Sequence, residues 1–154
     1  MKKLILSLLL LATVTARAEL TWLTDLDEAK KVATKENKKL LVDFTGSDWC
    51  GYCIKLHKEV FDTPEFEKFA KDFVLVELDF PRRKEQPAAE KTKNQAAQKK
   101  YGVNGFPTVL ILTVGGKVLN RAEGYSPDSG PSAYLPQLGA PALKKVKGPT
   151  PSKK

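Results

Sequence analysis

Leu40-Leu41-Val42-Asp43-Phe44-Thr45-Gly46-Ser47-Asp48-Trp49-Cys50-Gly51-Tyr52-Cys53 runs from apolar strand formers, through a Gly-Ser-Asp break, to a closely spaced pair of cysteines. Cys50 and Cys53 are the only cysteines in the chain. The residues that follow them carry a helical pattern, so the pair lies where a strand hands over to the first turn of a helix. Unpaired amides and the positive end of a helix favour thiolate over thiol, which makes sulfur reactive there. A structural disulfide is the competing use, because an exported chain meets an oxidising compartment. A bridge closing so short a loop removes little entropy from the unfolded chain and stabilises weakly. The spacing therefore suits a redox switch better than a staple.

Outward from this stretch the periodicities alternate. Residues 25–37 place Leu26, Ala29, Val32 and Ala33 on one stripe of a charged segment, as an amphipathic helix does. Residues 40–45 read as a strand, 50–60 as a helix, and Thr63-Pro64 as a cap and first-turn proline for a helix over 65–71. Residues 73–80 are almost continuously apolar, as in a strand covered on both faces. A polar, alanine-rich helix over 87–101 is ended by Gly102, and Gly115-Gly116 joins strands over 108–114 and 117–122 into a hairpin. A short last helix is expected over 131–138. The order gives a parallel βαβ half followed by an antiparallel hairpin: an α/β domain with a small mixed sheet and helices on both faces.

The ends read differently. Residues 1–18 have the positive start Met1-Lys2-Lys3, an apolar core and the small residues of Ala16-Arg17-Ala18, which predicts a cleaved signal peptide and a mature chain beginning near Glu19. The apolar run is shorter than the roughly 20 residues that a membrane anchor needs. Cleavage takes the formal net charge from +8 to +5. Residues 19–139 are left as the domain. Residues 140–154, rich in Lys, Pro and Gly, are expected to be a disordered basic tail. Outside the cytoplasm that tail does not point to nucleic acid; contact with a membrane surface, or plain solubility, fits it better.

Val42-Asp43-Phe44, Trp49-Cys50-Gly51-Tyr52-Cys53, Tyr101-Gly102-Val103, Gly105-Phe106-Pro107-Thr108 and Gly115-Gly116-Lys117 resemble the thioredoxin family in order and spacing. Within it the chain looks most like exported bacterial thioredoxin-like proteins. The resemblance implies the thioredoxin fold and a thiol-disulfide oxidoreductase that needs no cofactor beyond the Cys50-Cys53 pair. It implies that Cys50 is the nucleophile, Cys53 the resolving thiol and Asp43 a buried proton relay. Phe106 and a cis Pro107 would bind substrate, with Trp49 packed beside the thiols. Tyr52, a neutral aromatic where strongly oxidising relatives often have histidine, tilts the expected direction toward reductase or isomerase. The chain departs from the family in two places: the spacer Thr45-Gly46-Ser47-Asp48 is one residue longer, and Glu77 occupies a strand position where many thioredoxins have lysine.

His57, the sole histidine, falls one helical turn beyond Cys53. A Cys, Cys, His metal set would underlie the alternative function, a copper carrier or non-catalytic binding module. A closed zinc site wants four ligands, however, so His57 is expected to be a surface or packing residue and no metal is expected. Asp48 reads as a solvated loop acid. The insertion Pro81-Arg82-Arg83-Lys84-Glu85-Gln86-Pro87 follows the second predicted strand at its carboxyl end, where it would rim the redox site and select acidic partners. The expected partners are protein thiols and disulfides and a redox partner protein, acting on a monomer.

Overall fold

The computed structural model describes residues 20–141, so the predicted signal segment and most of the predicted tail lie outside the described residues. The strands are β1 (Trp22–Leu23), β2 (Lys39–Thr45), β3 (Phe73–Asp79), β4 (Thr108–Leu112) and β5 (Val118–Glu123). The α-helices are α1 (Leu26–Glu36), α2 (Gly51–Leu56), α3 (Pro64–Ala70), α4 (Ala88–Lys100) and α5 (Gly130–Tyr134). The strands form one sheet in the order β1-β3-β2-β4-β5. β3 runs parallel to both β1 and β2, and β4 is antiparallel to β2 and β5. This is the small mixed sheet with helices on both faces that the α/β alternation and the hairpin predict, and the thioredoxin fold that the resemblance implies.

Local chemistry sets the helix ends. The Asp25 side chain accepts the amides of Asp27 and Glu28 to cap α1, and Asn37, in the left-handed region at φ 53°, closes it. Thr63 caps α3 ahead of Pro64, as predicted. Side chains alternate across the central strands and so divide the interior in two. Leu40, Val42 and Phe44 pack with Val76, Leu78, Leu110 and Leu112 against α1 and α4. Leu41, Leu75, Val109 and Ile111 pack against Leu56, Val60, Phe61 and Phe66 on the opposite side, where the C-terminal Leu135 and Leu138 also lie.

Three elements differ from the sequence reading. β1 is only two residues long, too short for any periodicity to register. The helix expected over 50–60 is α-helical only to Leu56; His57–Phe61 form a π-helical turn, with the Asp62 amide donating to the His57 carbonyl at 2.9 Å. The last helix divides into α5 and a 3₁₀ turn, Leu135–Leu138, that accommodates Pro136. Ala140, placed in the tail by composition, packs against the core, and its amide donates to the Leu135 carbonyl at 3.1 Å.

Candidate active site

β2 ends at Thr45, and the chain turns through Gly46, Ser47 and Asp48 to deliver Trp49 and Cys50 to the start of α2. Cys50 is the N-cap of α2, and its Sγ accepts the Cys53 amide at 3.2 Å. The two sulfurs are joined as a disulfide. Cys50 keeps 6% of its surface exposed and Cys53 only 1%, so the first cysteine is the more accessible of the two. Tyr52 and Ile54 stand exposed around them.

Trp49 holds the turn in place. Its indole Nε1 donates to the Phe80 carbonyl at 2.8 Å, and its ring meets Phe106 edge-on at 6.1 Å. Phe106 also stacks on Phe80, and the Phe106-Pro107 peptide bond is cis. The loop that the resemblance assigns to substrate binding therefore lies beside Trp49, the residue preceding Cys50. Gly46 is required here: a Cβ at this position would stand 2.6 Å from the Trp49 ring. The longer spacer is taken up by Ser47, whose amide and hydroxyl both donate to the Asp79 carboxylate.

Asp48 is a partly exposed loop acid, as expected from sequence, but it also has partners that the sequence did not show. Its carboxylate accepts the backbone amides of Arg82, Arg83 and Lys84 at 2.7–3.0 Å and so fastens the insertion to the redox turn. Partial desolvation raises the Asp48 pKa; the three amides and the Lys84 charge outweigh it and hold the group below the usual carboxylate range. The tethered Arg82 guanidinium lies 3.5 Å above the centre of the Trp49 ring, so the insertion does rim the site.

Behind the disulfide lies a charged cluster. Asp43, on β2, is fully buried, and its neighbour in register on β3 is Glu77. His57 Nε2 reaches from the π-helical turn to 3.4 Å from Asp43 Oδ2 and 3.2 Å from Glu77 Oε2. Trp22 and Phe61 flank the imidazole, with ring centres 5.6 and 4.9 Å away. Burial lowers the His57 pKa, but the adjacent Asp43 and Glu77 carboxylates outweigh it and raise the group to about 10. Burial also raises the Asp43 carboxyl; His57 opposes the rise, and the charges of Glu77 and Asp79 add to it. Cys53, His57, Glu77 and Thr45 line a common cleft of about 400 Å³. Thus His57 is more than the surface or packing residue read from sequence. Its position one turn past Cys53 and the acid at position 77 were both legible, but their meeting across the sheet was not.

Asp43, His57 and Glu77 offer ligand atoms within 4.8 Å of one another, a set that could take a hard or borderline cation. Its imidazole contributes Nε2, which faces the two carboxylates.

A family model for a thioredoxin-like domain matches residues 26–139. The chain belongs to the thioredoxin-like family. Over 130 residues it is 37% identical to the disulfide bond reductase DsbH of Chlamydia pneumoniae, a match covering 84% of this chain and 76% of DsbH. It is 31% identical over 112 residues to the thioredoxin-related protein DsbJ of Chlamydia pneumoniae, covering 72% of this chain but 32% of DsbJ. A solved structure of DsbH oxidoreductase superposes with a TM-score of 0.71 at 36% identity, covering 79% of this chain and 83% of that one. This thioredoxin-like chain is a thiol-disulfide oxidoreductase, with Cys50 and Cys53 as its redox pair.

Proposed function

We propose that the protein is an exported protein-disulfide reductase that uses no cofactor beyond Cys50 and Cys53. The observation that carries this reading is the placement of Cys50: it caps α2, accepts the Cys53 amide, and is the more accessible of the two sulfurs. That amide favours a charged Cys50 sulfur once the disulfide is opened. In the reduced protein the Cys50 thiolate attacks a substrate disulfide, breaking its S–S bond and forming a mixed disulfide while one substrate sulfur leaves. Cys53 then loses its proton to the relay Asp43 and attacks Cys50; the second substrate sulfur leaves, and two electrons have passed to the substrate. An external protein dithiol returns the pair to the reduced state. Trp49, Phe106 and Pro107 form the wall against which an extended substrate segment aligns.

The similarity to DsbH, named a disulfide bond reductase, supports the reducing direction, and the signal-like residues 1–18 support export with release of a monomeric mature chain. Among the described residues no helix is long and apolar enough to cross a membrane. Insulin reduction by the mature chain tests the function. Activity is expected in the wild type and loss of at least a thousandfold in Cys50→Ser; an inactive wild type that takes up one equivalent of Cu(I) would favour a copper carrier instead. The Asp48-tethered cations Arg82, Arg83 and Lys84 favour encounter with acidic substrate segments. Reversing all three charges should lower turnover of acidic relative to basic substrates several-fold, and an unchanged ratio would remove that role.

A further inference from the structure

Asp43 and Glu77 stand opposite each other in parallel register on the same side of the sheet. Like charges so placed repel, and Asp43 has no exposed surface through which water could moderate the effect. The compensating cation comes from the other side: the π-helical turn after α2 sets His57 over both carboxylates, at 3.4 and 3.2 Å, while Trp22 and Phe61 limit where the ring can move. Cys53, four residues earlier on the same helical segment, shares the cleft with His57 and Glu77.

We infer that His57 is a positioning residue for proton transfer at Cys53, its imidazolium holding the Asp43 and Glu77 carboxylates in place beside the cleft that Cys53 lines. The inference rests on the reductase reading above. At the resolving step the Cys53 proton passes to the Asp43 carboxylate, the Cys53 sulfur bonds to Cys50, and the Cys50–substrate bond breaks with the substrate sulfur leaving as thiolate. His57 keeps its own proton throughout. Without that charge the rise that burial and Glu77 impose on the Asp43 carboxyl would go unopposed, which moves the step to higher pH.

Several groups among the described residues set this balance. Asp43 faces His57 from β2 and Glu77 from β3; Lys58 and Asp62, on the same turn, line the cleft. Asp79 acts on Asp43 from β3, and Tyr134 of α5 is coupled to Asp43, its hydroxyl raised above the usual range chiefly by burial. Trp22 and Phe61 contribute no charge.

The test compares wild type, His57→Gln and His57→Lys in metal-free buffer from pH 5 to 10. It reads insulin turnover and the alkylation midpoints of Cys50 and Cys53 in the reduced chain. His57→Gln should move the acid limb of turnover upward by at least one pH unit, a tenfold loss near pH 7, and raise the Cys53 midpoint. His57→Lys should restore much of both. An unchanged profile in a folded, active His57→Gln would overturn the inference while leaving the reductase reading intact. A wild type that does not reduce insulin would defeat that reading, and the Cys53 midpoints would still judge His57. Should both variants fail to fold, NMR titration of the wild-type imidazole decides: a midpoint above about 9 supports the role and one near 6.5 overturns it.

Discussion

The side of the sheet beneath α1 and α4 is hydrocarbon throughout its centre, with Leu40, Val42, Phe44, Leu78 and Leu110 fully or almost fully buried. The opposite side, beneath α2 and α3, interrupts an equally dense core with two carboxylates and an imidazole. Val42, Asp43 and Phe44 are consecutive, so the contrast arises within one strand by alternation alone. One side gathers apolar area and makes the fold stable. The other accepts the cost of a buried acid, and among the described residues the group placed to offset it is the histidine one turn beyond Cys53.

That division can be broken from either side. Phe44→Ala on the hydrocarbon side should cost about 3–5 kcal/mol of stability, measured by urea unfolding, with turnover per folded molecule nearly unchanged. A loss below about 1 kcal/mol would show that the apolar side does not carry the fold. The charged side should show itself in pH dependence. Below pH 6.5 His57 is protonated whether the chain is folded or not; between 6.5 and about 10 only the folded chain retains the proton. Stability should therefore fall as pH rises through this window, by at most about 1.4 kcal/mol per pH unit. The raised Asp43 acts with the same sign, from its ordinary value of 3.8 upward. His57→Leu should flatten the curve between pH 7 and 9, and a wild-type curve already flat there would erase the distinction between the two sides.

The apolar side was readable because each of its strands and helices carries its own periodicity, from Leu26, Ala29 and Ala33 in α1 to the alternating residues of β2. The Cys50 and Cys53 placement was readable for the same reason, a strand pattern meeting a helix pattern at a break. The charged cluster was not readable, since Asp43, His57 and Glu77 come from three elements and no local pattern records which residues of a helix settle over which strands. Asp48 escaped for a related reason: its partners are backbone amides 34 to 36 residues away, and amides leave no mark in a sequence. β1 is too short to announce itself, yet its Trp22 flanks the imidazole.

β2 lies at the middle of the sheet, bonded along one edge to β3 and along the other to β4. Its amide protons can meet deuterium only when those neighbours separate, which for a central strand approaches complete opening of the molecule. Asp43 is one of those residues, and the turn to Cys50 begins where the strand ends. Hydrogen exchange is therefore expected to be slower in β2, from whose end the sulfur-bearing turn departs, than in β5, which is bonded along a single edge.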